Sequence, residues 1–181
     1  MRRLVSLLLL VAALAGCTDD SENLYTKYRA FFRYSYVSTT PPLYAAVNSP
    51  GIFCTIAFPA GKYHFALTDG NAFTYTPTAL DSYGPPECIA GFIVGTPQVP
   101  DVYGNFTVTA YDLVCPNCYE ESAIQRSLTV SEAGAAKCSR CLRTYDLNNN
   151  GIMTSGPASG RKLFRYHVAY AATQGVLMIQ N

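Results

Sequence analysis

The stretch KYRAFFRYSYV, residues Lys27 to Val37, alternates apolar side chains with charged and polar ones. Arg29 and Arg33 lie on one face of the extended chain that this alternation predicts. The other side carries Tyr28, Ala30, Phe32, Tyr34 and Tyr36. Because successive side chains of an extended chain point to opposite faces, a period of two predicts a β-strand with one buried face.

Several further segments predict strands, and turn-forming Gly, Pro and Asn residues separate them. They are IFCTIAF (52–58), KYHFAL (62–67), FTYT (73–76), NFTVTAYDLV (105–114), RTYDL (143–147), KLFRYHVAY (162–170) and GVLMIQ (175–180), with TTPPLY (39–44) taken as a turn. Only residues 119–136 could hold a helix, and RSLTVSE within them fits a strand equally well. Many short strands between turns predict an all-β domain, a sandwich or a barrel, over residues 25–181.

The first residues have the pattern of an export signal. Arg2 and Arg3 precede an apolar run from Leu4 to Ala15, and Gly16 and Cys17 follow it. A basic start, a short apolar run and a small-residue exit predict a signal peptide over residues 1–16. The run is too short to span a bilayer, which needs about 20 apolar residues.

LAGC, residues 14–17, resembles the lipobox of bacterial lipoproteins, which implies cleavage before Cys17 and acylation of its thiol. The alternative is an ordinary cleaved signal that leaves Cys17 as an extra thiol. The residue after Cys17 is Thr18. In the lipoproteins that this segment resembles, Asp at this position retains the protein at the inner membrane, so Thr18 favours the outer membrane. The acidic stretch 17–24 resembles a surface-export signal, or is a solvated tether. A lipid-anchored protein on the periplasmic face or at the cell surface is therefore expected.

Composition and motifs argue against several function classes. The chain has 13 Lys and Arg residues, two of them in the signal peptide, against 12 Asp and Glu residues, so no basic surface for nucleic acid is expected. No glycine-rich phosphate loop is present, which argues against a nucleotide partner. His64 and His167, the two histidines, lie in alternating strands and supply no catalytic set. We therefore expect a non-enzymatic protein.

Four of the seven cysteines have metal-ligand spacing. Cys115 and Cys118 form one C-x2-C pair, and Cys138 and Cys141 form a second after 19 intervening residues. Each pair can fold into a tight knuckle that turns both sulfurs inward, and two facing knuckles complete a tetrahedron. In an exported protein an even cysteine count also fits disulfides, so that alternative stays open.

The remaining pair, Cys54 and Cys88, lies in apolar, strand-like surroundings. The two cysteines are either a cross-strand disulfide or two buried free thiols. Export slightly favours the disulfide.

The order of motifs around the second cysteine pair carries a family resemblance. After LVCPNC and CSRC the chain reads TYDLNNNG, SGPASG, LFRYHV and GVLMI. Residues 110–179 resemble the Rieske domain of ferredoxin subunits of the ring-hydroxylating dioxygenase and nitrite reductase type. The matching positions are Cys115, Pro116, Cys138, Tyr145, Asp146, Leu147, Gly151, Ser155, Gly156, Pro157, Ala158, Leu163, Tyr166 and Val168. The resemblance implies an antiparallel Rieske-like β-sandwich with a small rubredoxin-like or zinc-ribbon-like subdomain at about 113–146.

Both histidines that ligate the Rieske cluster are replaced, since Asn117 and Cys141 stand in their places. A Rieske 2Fe–2S centre depends on those two histidines, so four cysteines cannot make it. They could hold zinc, a single iron or a plant-type 2Fe–2S cluster, or form disulfides. An all-sulfur tetrahedral set favours Zn²⁺. We expect a structural zinc in a binding or assembly module for an unknown protein or surface ligand. An iron or 2Fe–2S electron carrier is the alternative.

Overall fold

The structure is a computed structural model that describes residues 24–81, 83–157 and 160–181. The signal peptide, Cys17, Thr18, nearly all of the expected tether, and Ala158 lie outside the described residues. Within the described part of the chain, no helix is both long enough and apolar enough to cross a membrane.

The larger of two sheets has eight strands, curls into a half-barrel, and has only antiparallel neighbours. The prediction of an all-β, antiparallel fold is confirmed. The spatial order is β1 (Phe31–Tyr34), β12 (Val176–Gln180), β11 (Arg165–Ala171), β6 (Thr109–Asp112), β5 (Phe92–Gly95), β2 (Phe53–Ala57), β3 (Tyr63–Ala66) and β4 (Ala72–Tyr75).

The smaller sheet has four short antiparallel strands and lies entirely between β6 and β11 in the sequence. Since β6 and β11 are paired neighbours in the large sheet, the small sheet is an insertion in the connection between them. It extends past Asp146 to Ser155, further along the chain than the expected subdomain. Its order is β10 (Ile152–Ser155), β9 (Thr144–Asp146), β8 (Ala135–Lys137) and β7 (Thr129–Val130).

The central strands of the large sheet are covered on both faces, and alternation along each strand divides their side chains between two clusters. Ile56, Phe92 and Val94 belong to a cluster with aromatic residues of β1 and β3. A second cluster includes Phe53, Ile93 and Tyr111. Three of the paired cysteines belong to this cluster, and the fourth, Cys141, packs against it. The other members of this second cluster are Leu113, Leu128, Ala136, Tyr145, Leu147 and Leu163. The small sheet is therefore attached to the large one through a shared apolar layer.

One helix occupies a segment that the sequence predicted as a turn. TTPPLY begins α1 (Pro41–Asn48), with prolines at its first two positions. Prolines are tolerated there because the first N–H groups of a helix have no intrahelical acceptor. Leu43, Ala46 and Val47 recur at helical spacing and are buried against the large sheet. The turn interpretation of this segment was therefore wrong.

The second helix, α2 (Pro116–Ser122), begins inside the first cysteine pair. Cys115 precedes its first residue, and Ala123 ends it in the left-handed conformation with φ 53°. The range 119–136, which could have held a helix, thus contains only the end of α2 and continues into β7 and β8. The helix carries Cys118 towards the second cysteine pair.

Candidate metal centre

The fold brings the four predicted ligands together. The Sγ atoms of Cys115, Cys118, Cys138 and Cys141 all lie within 4.8 Å of one another. The first three side chains are buried, and Cys141 is partly exposed. The prediction of a four-cysteine group that can hold a metal ion is thus supported by its geometry.

The shortest sulfur–sulfur distances join one knuckle to the other. The Sγ atoms of Cys115 and Cys141 are 3.6 Å apart, and those of Cys118 and Cys138 are 3.7 Å apart. A disulfide would require about 2.05 Å, and all four thiols are free. In a regular tetrahedron with metal–sulfur bonds of about 2.3 Å, neighbouring sulfurs are about 3.8 Å apart. The two shortest sulfur–sulfur distances therefore match the edge of a tetrahedral thiolate site, and the other pairs lie within 4.8 Å.

The first knuckle forms where β6 ends and α2 begins. Cys115 lies just before the helix, Pro116 is its first residue, and Cys118 is in its first turn. Burial raises the pKa of the Cys115 thiol, whereas the Tyr145 hydroxyl and the backbone N–H of Cys118 act in the opposite direction. Both groups donate to the sulfur and so favour its thiolate form.

The second knuckle is a tight turn between β8 and β9. The N–H of Cys138 donates to the carbonyl oxygen of Arg143 at 2.9 Å, and the N–H of Leu142 donates to the carbonyl oxygen of Cys138 at 3.1 Å. Leu142 closes the turn in the left-handed region, with φ 61°. This closure holds Cys138 and Cys141 on the side of the turn that faces α2.

A buried polar chain supports the first knuckle. The Tyr145 hydroxyl lies 3.4 Å from Sγ of Cys115 and accepts a 2.8 Å hydrogen bond from the Asn117 side-chain amide. The side-chain oxygen Oδ1 of Asn117 in turn accepts a 3.1 Å hydrogen bond from the backbone N–H of Arg161. With its oxygen already accepting one bond, the Tyr145 hydroxyl is free to donate its proton to the sulfur. Such outer contacts orient metal ligands and stabilise their charge.

A buried arginine supports the second knuckle. Arg143 forms an ion pair with Glu121, with Nη2 and Oε1 3.4 Å apart. Burial alone would raise the pKa of the Cys141 thiol, but the backbone N–H of Arg143, the neighbouring thiols and the Arg143 guanidinium lower it to about 7. Four thiolates around one divalent ion carry a net negative charge, and the Arg143 guanidinium beside them offsets part of it.

Gly160 lies against both of these supporting side chains. A Cβ atom at this position would clash with the Met153 sulfur and would lie 3.1 Å from Asn117 Oδ1 and 3.2 Å from Arg143 Nε. A larger residue would therefore displace the groups that position the cysteines. This close approach places Gly160 directly beside the site.

The sequence identified the four ligands but not the roles of their neighbours. The sequence marks Asn117 and Tyr145 only as positions of the Rieske resemblance, and nothing in it marks Arg143. The sequence feature that could have indicated a role for Tyr145 is its position on the buried face of the short strand predicted at RTYDL. No spacing rule in the sequence indicates that its hydroxyl meets a cysteine.

Cys54 and Cys88 lie outside this site. The disulfide considered for Cys54 and Cys88 is not formed, since both are free thiols in the structure. Cys54 is fully buried on β2, opposite Val94 of β5, and Cys88 is partly buried before β5. Burial raises the pKa of Cys54 to about 12 and that of Cys88 to about 11, so both stay protonated at neutral pH.

Comparison with known proteins adds no family to these observations. A scan against protein-family models gives no match, and a search of curated proteins finds no similar chain.

Proposed function

We propose that this chain is an exported, lipid-anchored bacterial protein whose β domain holds one structural zinc ion and acts as a non-enzymatic binding or assembly module. The observation that carries the metal-binding part is the mutual approach of four Sγ atoms within 4.8 Å. Thiolates in a tetrahedral array are typical of zinc and of iron in proteins.

The compactness of the sulfurs favours one ion over a 2Fe–2S cluster. In a binuclear cluster two cysteines bind each iron, and the iron–sulfide core separates the two pairs. The four Sγ atoms here have no such separation, because every pair of them lies within 4.8 Å. A single ion at the centre satisfies all four at once.

The surroundings favour a structural role. The cysteines belong to or border the apolar cluster that joins the two sheets. A closed shell of four protein ligands leaves no position for substrate, which is the usual difference between structural and catalytic zinc sites. Zinc also remains bound without a reducing environment, which suits an exported protein.

Metal analysis of the purified soluble domain tests this proposal. We expect about one zinc per chain and four thiols that react only after a chelator removes the ion, because bound thiolates are masked. A metal-free protein in which mass mapping finds Cys115, Cys118, Cys138 and Cys141 in disulfides would contradict it.

An electron carrier with one iron is the second candidate. It is favoured by the hydrogen bonds to the Cys115 and Cys141 sulfurs and by the partial exposure of Cys141, since such contacts and solvent access tune reduction potentials. Colour separates the candidates. A visible chromophore at stoichiometric iron that bleaches reversibly with dithionite would select the carrier, and a colourless zinc protein would exclude it.

The membrane anchor rests on LAGC and on Thr18, which together favour the outer membrane. Several acyl chains on Cys17 would give stable anchoring, whereas one chain binds only marginally. Cys17→Ser is expected to release the protein into the soluble fraction. A variant that still sediments with outer membranes after a salt wash would refute lipidation as the anchor.

The Rieske resemblance supplies a proposed origin for the site. The order of motifs over residues 110–179 supports a Rieske-like domain in which Asn117 and Cys141 stand at the two histidine positions and Cys118 follows directly after the first. The partner would be an unknown protein or surface ligand, without nucleotide or nucleic acid.

A further inference from the structure

Leu142 occupies a position that is unfavourable for leucine in two ways. Its backbone has φ 61°, a conformation that glycine adopts without cost and that side chains with a Cβ atom disfavour. Its side chain is also 61% exposed, immediately after the ligand Cys141. A strained backbone that presents an apolar side chain to solvent indicates a contact surface.

Leu142 forms one wall of an apolar groove on the outer face of β7, β8 and β9. The groove has a volume of about 580 Å³, and Thr129, Ala135 and Thr144 line it beside Leu142. Among the residues that the structure describes, Lys137 is the one charged residue that lines it. The opposite face of these strands is covered by the cluster that contains the cysteines, so the groove is the face of the small sheet left open.

A second unusual feature lies in the connection between β5 and β6. We call residues 101–105 the tip. Val102 and Tyr103 at its apex are 93% and 86% exposed, although turns prefer small and polar residues. The Asp101 carboxylate fixes the tip by accepting the N–H groups of Tyr103 and Asn105, each at 2.9 Å. The apolar pair is therefore held outward on a closed turn.

We propose that the tip of one molecule inserts into the groove of a second copy of this chain. Val102 and Tyr103 would fill the space beside Leu142, and Asp101, the only charge of the tip, would face Lys137, the only charge of the groove. The two features carry charges of opposite sign, and both present exposed apolar side chains. One contact thus accounts for both the leucine at a glycine-like position and the apolar residues at the apex of a turn.

The contact joins different surfaces of the two molecules, so assembly can extend head to tail beyond two copies unless it closes into a ring. This inference goes beyond the proposed function and does not depend on which metal is bound. The groove does depend on the second knuckle being folded, so the test uses the metal-loaded protein.

Sedimentation equilibrium of metal-loaded Cys17→Ser protein, at concentrations up to about 1 mM, tests the proposal, because small interfaces bind weakly. We expect the average mass to rise with concentration. Leu142→Gly and Tyr103→Ser should each weaken association by about 30-fold or more, as for residues at the centre of an interface. Glycine keeps the Leu142 N–H that closes the second knuckle and adopts its φ without strain, and the metal content of Leu142→Gly is measured before sedimentation so that a loss of association is read only from the metal-loaded variant. Tyr44→Ser, at an exposed position on α1, is the control that should associate normally.

A mixture of the two variants gives the decisive measurement. Leu142→Gly retains an intact tip and Tyr103→Ser retains an intact groove, so an equimolar mixture should form pairs and stop at two copies. A single-chain mass for the parent protein at every concentration would overturn the proposal. Association of Leu142→Gly equal to that of its parent would also overturn it.

Discussion

At the scale of single residues, the cysteines are held by two different kinds of neighbour. Tyr145 and Asn117 form a neutral, buried chain that ends on Cys115. Arg143 brings a positive charge to Cys141 and is paired with Glu121. Neutral support fits the more buried thiol, because a charge without a partner is costly to bury. The charged support lies on the side that solvent partly reaches.

The hydroxyl of Tyr145 can be removed without changing the apolar core. Tyr145→Phe keeps the ring but takes away the donor to Cys115, so we expect metal affinity to fall about tenfold, at the lower end of outer-contact effects. Competition with a chromogenic chelator measures this. Tyr111→Phe is the control, since this buried hydroxyl makes only a 3.5 Å bond to the Leu147 carbonyl oxygen. Equal affinities for both variants would show that the hydroxyl does not stabilise the thiolate.

The Arg143 guanidinium contributes to the pH dependence of metal binding. The backbone N–H of Arg143, the neighbouring thiols and the guanidinium lower the pKa of Cys141 to about 7, so this ligand stays deprotonated to lower pH than an ordinary thiol does. Arg143→Gln removes the cation and lets this pKa rise, so protons compete with the metal at higher pH. We expect metal affinity to fall about 10- to 100-fold, and the pH at which half of the metal is released to rise. Chelator titration at a series of pH values measures both. Arg140→Gln, exposed in the same knuckle, should leave the midpoint unchanged.

At the scale of elements, the buried carboxylate of Asp112 connects β6 to three neighbouring segments. It accepts the N–H groups of Ile89 at 2.9 Å, Ala90 at 3.2 Å and Val114 at 2.8 Å, and the Tyr166 hydroxyl at 3.0 Å. Burial raises the pKa of this carboxyl, and the four donors oppose the rise. The carboxylate thus fixes the point where the chain leaves the large sheet for the metal site.

Replacement of this carboxylate should destabilise the whole domain. Asp112→Asn puts an N–H₂ group opposite backbone donors and leaves some of them unpaired, at a cost of about 2–4 kcal/mol in the free energy of unfolding. Urea titration measures the change. Asp69→Asn, at an exposed turn, should stay within about 0.5 kcal/mol of the parent. A change equally small for Asp112→Asn would contradict the structural role of these bonds.

Most strands were predictable from alternating or β-rich runs between turn residues, but β5 and β8 were not among the predicted strands. β5 is buried on both faces, so its sequence does not alternate. The stretch 27–37 contains β1, although the strand covers only Phe31–Tyr34. The helix α1 was missed because its two prolines signal a turn locally, and only burial of Leu43 and Val47 by distant strands makes a helix favourable. Cysteine spacing predicted the ligands, since the knuckle geometry is local. The contacts of Arg143 and Tyr145 depend on how two distant loops face each other.

At the scale of the whole molecule, the position of the insertion determines what metal loss would affect. The connection from β6 to β11 carries the small sheet, yet β6 and β11 pair directly with each other. The first apolar cluster, with Phe32, Phe65 and Phe92, contains no metal ligand. The large sheet therefore has a core of its own, whereas the four short strands share theirs with the cysteines.

Removal of the metal should consequently unfold the insertion and spare the large sheet. In Cys141→Ser or after chelation, we expect trypsin to cleave rapidly after Arg126 and Lys137, while Arg33 within β1 stays protected by its strand pairing. Hydrogen exchange should accelerate through β7–β10 but not in β2, β5 and β6, because metal-binding energy is folding energy only for the segment that the metal closes. The strand signal in far-UV circular dichroism should largely persist. Simultaneous loss of protection in both sheets would mean that the shared cluster of Phe53, Ile93 and Tyr111 couples them into one cooperative unit.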